Sequence, residues 1–298
     1  MQSILKAVNN GKVLVSDGAW GTFLHERGLQ PGECPELWNV THREDVFAIA
    51  QSYIDAGADM ILTNSFGGSP HKLSHYGLHD RTSELNEAAA LISREAAGDD
   101  HFVLGSIGPS GAMLMMDEVS DQELYEGFCI QADALKTGGV DAICVETMSD
   151  IQEAVLAIRA AKDATDLEVI CTFTFEKKIG TEYKTMMGVS PSEMVKAVKE
   201  AGASVIGSNC GNGFEQMIEI VRSIRNIDST TPILVHANAG LPSFKDGKTV
   251  FPETPEMMSS RVHELIKNGA NIIGGCCGTT PDHIKAFVKE IKKLNISA

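Results

Sequence analysis

Three cysteines in glycine-rich segments are the side chains of this sequence best suited to chemistry. Cys276 and Cys277 are adjacent within residues 274–279, and Cys210 lies within residues 207–211. The flanking glycines let the backbone bend, so that two neighbouring cysteines can face one point instead of opposite faces of a strand. Thiolates are soft ligands that favour zinc. The three cysteines together therefore predict a zinc site.

The number of cysteines indicates the kind of zinc site. A structural site normally has four firm ligands in paired hooks, whereas three protein ligands leave one position open for a substrate. We expect such a site to bind and activate a thiol. The alternative is that these cysteines are buried thiols, or that Cys276 and Cys277 form a strained vicinal disulfide. The remaining cysteines are predicted to be small buried side chains; they are Cys34, Cys129, Cys144 and Cys171.

Composition excludes several classes of protein. The chain has 298 residues, with 25 Lys and Arg against 40 Asp and Glu, a formal net charge of −15. Nucleic acids and anionic membrane surfaces require basic patches, so neither is expected as a partner. Residues 1–10 lack the apolar region of a secretory signal, and no stretch is long and apolar enough to span a bilayer. The odd cysteine count favours a reducing compartment, and we expect a cytoplasmic enzyme.

Short apolar runs alternate with amphipathic stretches along the whole chain, which is typical of repeated βα units. Strands are predicted at residues 13–16, 60–63, 102–106, 142–145, 169–173, 204–207, 233–236 and 271–274. Helices are predicted at residues 43–57, 82–97, 121–138, 150–164, 191–201, 213–226, 254–268 and 281–294. The length alone allows one large domain or two average ones. Eight βα units favour a single (β/α)8 TIM barrel over residues 1–298.

A barrel of this kind gathers the carboxyl ends of its strands at one rim. This topology places Cys210 on strand 6 and the cysteine pair on strand 8, close enough to share one metal. Asp17, Glu146 and Asn238 also follow strands, so they are predicted at the same mouth. The long loop at 176–191 is predicted to be a mobile flap over this mouth.

Several segments at these strand ends resemble the homocysteine S-methyltransferase family in order and spacing, across essentially the whole chain. They are residues 17–22, 63–66, 108–109, 146–147, 209–210 and 274–279. Further segments look more like bacterial betaine-homocysteine methyltransferases; they are residues 35–39, 65–68, 146–149 and 184–188. The resemblance implies a zinc-dependent enzyme that moves a methyl group to the thiol of L-homocysteine and forms methionine.

The resemblance also implies roles for residues at the mouth. Asp17 and Glu146 would hold the ammonium group of homocysteine, and the backbone amides of the turn Gly18-Ala19 would hold its carboxylate. For either acidic residue, a helix cap or a loop hydrogen bond is the alternative. The amide oxygen of Asn238 is predicted to fill the fourth zinc position when no substrate is bound, or else to make a structural hydrogen bond.

The methyl donor is predicted to be a small onium compound of the glycine betaine or dimethylsulfoniopropionate type. Aromatic faces and negative charge recognise such a cation. The candidate residues are the aromatic side chains of the first two βα loops, although loop packing is the alternative for each; they are Trp20, Trp38, Phe66 and Tyr76.

Other functions remain open from sequence. The chain could be the homocysteine-activating subunit of a corrinoid- or folate-dependent methionine synthase, with a corrinoid protein as partner, or it could use S-methylmethionine. It carries no Asp-x-His-x-x-Gly cobalamin motif and no glycine-rich nucleotide fingerprint. A non-catalytic thiol sensor is the alternative from another class. Homo-oligomerisation is left open.

Overall fold

A computed structural model of the chain describes residues 3–112, 119–180, 182–245 and 248–296. Eight parallel strands form one sheet, in which each strand from β2 to β8 pairs with its neighbour in the sequence and β1 pairs with β8. They are β1 (Leu14–Val15), β2 (Met60–Leu62), β3 (Phe102–Ile107), β4 (Ala142–Met148), β5 (Glu168–Phe173), β6 (Val205–Asn209), β7 (Ile233–Ala237) and β8 (Ile272–Gly275).

A parallel bridge between Ser16 and Met60 connects β1 to β2 and closes the ring. The predicted (β/α)8 barrel is therefore confirmed, with a strand at each of the eight predicted positions. Its interior is filled by one apolar side chain or more from every strand. The first helix adds Ile4 and Val8 to this interior cluster, so it covers the amino-terminal end of the barrel. The opposite end is left to the βα loops, where active sites of this fold lie.

Helices surround the sheet and bury a second, larger apolar cluster against it. The long helices are Arg43–Asp55, Thr82–Ala97, Asp121–Thr137, Ile151–Ala164, Pro191–Ala201, Phe214–Ile227 and Pro281–Ile296. Shorter helices are Ile4–Asn9, Gly21–Glu26, Trp38–Thr41, Pro70–Ser74, Pro255–Ser259 and Val262–Lys267, with 3-10 turns at Pro35–Leu37 and His79–Arg81. Within the described residues, no helix combines the length and apolar character that crossing a membrane requires.

The prediction of one continuous helix over residues 254–268 is wrong, because the structure breaks it between Ser259 and Val262. Ser260 Oγ donates to the carbonyl of Met257 at 2.8 Å. Hydroxyl groups that bond to the preceding turn compete with the helical backbone pattern. The apolar periodicity continues across the break, and for that reason periodicity alone could not reveal it.

Two antiparallel hairpins extend from the carboxyl-terminal side of the barrel. The first hairpin (Lys177–Ile179 and Glu182–Lys184) follows β5, and the second hairpin (Ser243–Lys245 and Lys248–Val250) follows β7. The first lies within the loop predicted to be a flap. Its base is tied down, because Glu176 N–H donates to the carbonyl of Lys184 at 3.0 Å and Thr185 Oγ1 donates to that of Ser149 at 2.8 Å.

Candidate active site

The three predicted metal ligands meet at the mouth of the barrel. The Sγ atoms of Cys210, Cys276 and Cys277 all lie within 4.8 Å of one another. Backbone hydrogen bonds between neighbouring strands hold them there: Cys210 N–H donates to the carbonyl of His236 at 2.9 Å, and Cys276 N–H donates to that of Ala237 at 2.7 Å. Parallel pairing of β6, β7 and β8 therefore brings Cys210 to Cys276 and Cys277, which lie 66 and 67 positions later in the sequence.

Strained backbone marks the same place. Among the described residues, Thr147 and Cys210 are the non-glycine residues with positive φ, at 62° and 58°. Both line the cavity at the carboxyl ends of the strands that also contains the three cysteines, which we call the main cavity. A residue with a Cβ in this conformation costs about 1–2 kcal/mol. Strain of this kind persists where the surrounding structure imposes it, most often at active sites and ligand clamps. It supports the mouth as the functional site.

The cysteine cluster has the dimensions of a zinc site. A tetrahedral zinc with Zn–S bonds of about 2.3 Å holds its sulfur ligands roughly 3.8 Å apart. Cys276 Sγ and Cys277 Sγ are 3.9 Å apart, and the third sulfur is within 4.8 Å of both. All seven cysteines are free, so the vicinal disulfide is not present. Cys34, Cys144 and Cys171 are buried and Cys129 is half-buried, which agrees with their predicted packing role.

The three thiols share their protons unequally. Hydrogen bonds from Cys276 and Cys277 lower the pKa of Cys210, while the hydrogen bond to Cys210 raises the pKa of Cys276 well above its usual value. The same contact with Cys210 raises the pKa of Cys277 to about 12. The cluster thus places its first negative charge on Cys210.

The cluster forms part of a cavity of about 310 Å³ at the carboxyl ends of the strands. This cavity also receives residues from the loops after β1 and β2 and from the carboxyl-terminal parts of β3 and β4. Its lining is Gly18, Ala19, Trp20, Gly21, Thr22, Leu24, Pro35, Glu36, Leu62, Thr63, Asn64, Ser65, Phe66, Ser106, Glu146, Thr147, Cys210, His236, Gly275, Cys276 and Cys277.

Glu146 is a buried carboxylate that lines the cavity, 8% exposed. Ser106 Oγ donates to its Oε1 at 2.5 Å, and Asn209 Nδ2 donates to its Oε2 at 3.5 Å. Burial raises the pKa of Glu146 to about 7, although the Ser106 hydrogen bond acts in the opposite direction. A cation bound beside it would favour the charged form, so Glu146 is suited to accept an ammonium group.

Asp17 lies behind the cavity wall and is fully buried. Its Oδ2 accepts hydrogen bonds from Leu62 N–H and Trp20 Nε1, each at 2.8 Å, and its Oδ1 accepts one from Ser16 Oγ at 3.1 Å. Burial raises the pKa of Asp17 to about 6, although these hydrogen bonds act to lower it. The structure therefore places Asp17 where it orients the Trp20 indole, and it does not place the carboxylate on the cavity surface.

The turn after β1 presents its two predicted amides differently. Ala19 N–H donates to Thr279 Oγ1 at 3.1 Å, so it is already engaged. Gly18 N–H has no hydrogen-bond partner in the part of the chain that the structure describes, and Gly18 lines the cavity. Of the two amides predicted to bind the substrate carboxylate, Gly18 N–H is therefore available and Ala19 N–H is already engaged.

The predicted aromatic residues fall into two groups. Trp20 and Phe66 line the main cavity. Trp38 and Tyr76 line a second cavity, together with Cys34 and other residues of the β1 and β2 loops. Trp38 is 5% exposed and stacks on His42, with ring centroids 4.2 Å apart. The structure does not bring the four rings together around one point.

Asn238 is buried beside the cysteine cluster, but it is not part of the cavity lining. Its amide hydrogen-bonds to Cys210, and its Oδ1 has no partner among the described residues. A buried carbonyl oxygen without a partner costs free energy unless a ligand or ion satisfies it. Asn238 Oδ1 is therefore available for the predicted role of fourth zinc ligand.

Sequence reasoning missed four residues at this site. Glu36, Ser106 and His236 line the cavity, and Thr279 holds its wall together. Burial lowers the pKa of His236 to about 3, so its imidazole is neutral, and its Nε2 has no partner among the described residues. The sequence did contain a signal for two of them, because Ser106 and His236 lie near the carboxyl ends of β3 and β7, where the rim of the barrel is formed.

Gly275 is required by the packing of Thr279. Thr279 is fully buried, and its Oγ1 donates to the carbonyl of Cys276 at 2.7 Å. A Cβ on Gly275 would lie 2.1 Å from that Oγ1. We expect Gly275→Ala to lower the free energy of unfolding by about 1–3 kcal/mol in a denaturant titration. Gly21→Ala is the control, because a Cβ there meets nothing within 4 Å; equal stability of the two variants would contradict the packing argument.

Two known proteins are similar to this chain in sequence. Over 304 residues the chain is 30% identical to a methionine synthase of Mycobacterium leprae (strain TN), and over 305 residues it is 31% identical to one of Mycobacterium tuberculosis (strain ATCC 25618 / H37Rv). Each alignment covers 95% of this chain and 25% of the relative. The chain therefore spans about a quarter of the length of these relatives.

Solved structures show the same fold. The metallated form of the Escherichia coli homocysteine methyltransferase MmuM superposes with a TM-score of 0.78 at 22% identity, covering 95% of this chain and 98% of that one. A methyltransferase from Methanosarcina mazei superposes with a TM-score of 0.62 at 12% identity, with 98% of both chains covered. The family described as homocysteine S-methyltransferase matches residues 14–291. Since that match extends over nearly the whole barrel, the chain belongs to the homocysteine S-methyltransferase family.

Proposed function

We propose that this chain is a zinc-dependent enzyme that transfers a methyl group from a small onium donor to the thiol of L-homocysteine, forming methionine. The observation that carries the proposal is the meeting of three cysteine sulfurs with a buried carboxylate in one cavity. Cys210, Cys276 and Cys277 would hold the metal, and the homocysteine thiol would take the remaining position. When bound, zinc favours the thiolate form of that sulfur at neutral pH.

The chain's own residues orient the amino-acid end of homocysteine. Glu146 accepts the ammonium group, with Ser106 and Asn209 holding the carboxylate in place. Gly18 N–H offers a donor to the substrate carboxylate. Asp17 contributes its negative charge from behind the wall, and it fixes the Trp20 ring through the indole N–H. These contacts leave the substrate sulfur directed to the cysteine cluster.

Trp20 and Phe66 provide aromatic faces for the cationic centre of the donor. In the transfer, the homocysteine sulfur forms a bond to the methyl carbon while the bond from that carbon to the donor nitrogen or sulfur breaks. The electron pair of the broken bond stays on the donor, which departs as a neutral amine or sulfide. Because the donor's nitrogen or sulfur has lost its positive charge, the anionic cavity no longer holds the product by electrostatic attraction.

A donor panel tests this function. Zinc-loaded protein would be incubated with L-homocysteine and, separately, glycine betaine, dimethylsulfoniopropionate or S-methylmethionine, and methionine would be quantified. We expect at least one of these donors to support repeated turnover. Absence of methionine with every onium donor, in protein whose zinc content is confirmed, would reject the onium proposal.

A second candidate function is methyl transfer from a corrinoid carried by another protein. The observation that favours it is a group of exposed apolar side chains on the loops after β2, β5 and β7, which surround the mouth; they are Phe66, Tyr76, Ile179, Met186, Met187, Leu241, Phe244 and Val250. Exposed apolar surface of this kind is typical of contact with a partner. Turnover with a methylated corrinoid protein, and with none of the onium donors, would establish this candidate in place of the first.

The aromatic contribution to donor binding can be measured separately. Trp20→Leu removes the ring face from the cavity, and we expect the donor KM to rise about 2- to 30-fold, which corresponds to about 0.5–2 kcal/mol. Trp20→Phe keeps an aromatic face but loses the bond to Asp17, so it separates the two roles of this side chain. Tyr76→Leu is the control because Tyr76 lines the second cavity. A donor KM unchanged in Trp20→Leu would remove Trp20 from the donor site.

A further inference from the structure

Glu36 is a buried acidic residue of the main cavity with no role in the function proposed above. It lies in the 3-10 turn Pro35–Leu37 and is 3% exposed. Its side chain lines the same cavity as Trp20, Phe66 and the cysteines. A carboxylate in such a place has either a structural task or a ligand.

The loop after β2 is shaped around this carboxylate. Gly67 N–H donates to Glu36 Oε1 at 2.6 Å, and Cys34 Sγ donates to Oε2 at 3.3 Å. A Cβ on Gly67 would lie 2.9 Å from Oε1, so a larger residue there would displace the carboxylate. A carboxylate can accept about four hydrogen bonds. The backbone N–H of Glu36 itself is a third donor to this carboxylate. One acceptor position of Glu36 therefore remains for a molecule in the cavity.

Glu36 has no ion-pair partner within 4 Å among the residues that the structure describes. Lys72 acts on it only through a longer-range attraction, and burial dominates, raising its pKa. An unpaired buried carboxylate is unfavourable unless a proton or a bound cation neutralises it. Hydrogen bonds from Gly67, Cys34 and its own backbone hold this carboxylate in the wall of a cavity that Trp20 and Phe66 also line. A carboxylate beside aromatic faces is a recognised arrangement for a quaternary ammonium or a sulfonium ion.

We propose that Glu36 is a specificity-determining residue that faces the cationic centre of the methyl donor. The inference rests on the onium function proposed above and names the residue that selects the donor's charge. The loops after β1 and β2, which carry Glu36 and Gly67, lie on the side of the ring away from β6 and Cys210. A cation between them is drawn to negative charge on both sides. A donor carboxylate close to the onium centre is repelled by Glu36, so donors with a distant carboxylate or none are preferred.

The test is Glu36→Gln, because glutamine keeps the length of the side chain and an oxygen for Gly67 N–H while losing the charge. A purely structural residue would tolerate this change. Glu33→Gln is the matched control, since Glu33 is an exposed glutamate on the same loop. Zinc content and homocysteine affinity are expected to stay at the wild-type level in both variants.

Binding is measured by calorimetry on zinc-loaded protein without homocysteine, so that no turnover occurs. The probes are choline and its neutral carbon isostere. We expect Glu36→Gln to weaken choline binding about tenfold and to leave the isostere unchanged. The donor KM should rise by a similar factor, with kcat changed little. Choline affinity that is the same in wild type and Glu36→Gln, or no choline binding by the wild type, would overturn the assignment.

Turnover separates this inference from the function on which it rests. If onium donors yield methionine but Glu36→Gln leaves the donor KM and choline affinity unchanged, the proposed function stands and the role of Glu36 is refuted. If no onium donor yields methionine and a methylated corrinoid protein does, the onium function is refuted, and the donor role of Glu36 is refuted with it.

Discussion

Replacing Cys277 with alanine is expected to abolish both tight zinc binding and methyl transfer. The variant leaves two thiolates, which hold the metal poorly, because a substrate-binding zinc site normally has three protein ligands. Loss of an outer-shell partner alone lowers metal affinity about 10- to 100-fold. We expect loss of a direct ligand to exceed that range. Zinc content by atomic emission and methionine formation should fall together, and Cys210→Ala and Cys276→Ala should behave alike.

Cys129→Ala is the control for this prediction. Cys129 is a half-buried thiol whose Sγ donates to the carbonyl of Ala160, and it lies outside the cavity lining. It tests whether removal of any cysteine destabilises the enzyme. The metal assignment would be wrong if Cys277→Ala protein without zinc retained wild-type activity. It would also be wrong if Cys129→Ala lost zinc to the same extent.

Replacing Glu146 with glutamine is expected to raise the dissociation constant of homocysteine about tenfold to a hundredfold. The change removes the charge that faces the substrate ammonium, and a hydrogen bond between charged groups contributes about 1.5–3 kcal/mol. Glutamine retains an oxygen for the hydrogen bond from Ser106. Calorimetry with zinc-loaded protein measures the homocysteine affinity, and the zinc content should not change. Unchanged affinity would remove Glu146 from the homocysteine site.

The pH dependence gives a second readout for Glu146. Burial raises its pKa to about 7, so in the free protein the charged form grows as the pH rises from 6 to 8. The attraction for an ammonium group therefore strengthens over this interval, in addition to the rise that thiol deprotonation causes. Glu146→Gln should lose the first contribution and keep the second. Glu153→Gln is the matched control, because Glu153 is also buried and bound to a serine, Ser110, but lies outside the cavity lining.

Local patterns were sufficient to predict the barrel and the meeting of three cysteines at its mouth. Each strand is a short apolar run, and each long helix has an amphipathic period, so local propensity and burial agree along the chain. Eight such units are typical of a closed (β/α)8 barrel, and a barrel of this kind collects the carboxyl ends of its strands at one rim. Cys210, Cys276 and Cys277 could be placed together by this topology alone, because the backbone pairing of β6, β7 and β8 determines their positions.

Only the tertiary structure decided which loop side chains face the cavity. Trp20 faces it because its indole is bound to Asp17 beneath the wall, whereas Trp38 is turned to a second cavity and stacks on His42. A tryptophan in a loop carries no periodic signal for its direction, since the loop backbone is shaped by contacts distant in the sequence. Such contacts join Glu36 to Gly67 and Thr279 to Ala19. The direction of these side chains therefore depends on partners 31 and 260 positions away, which no local pattern records.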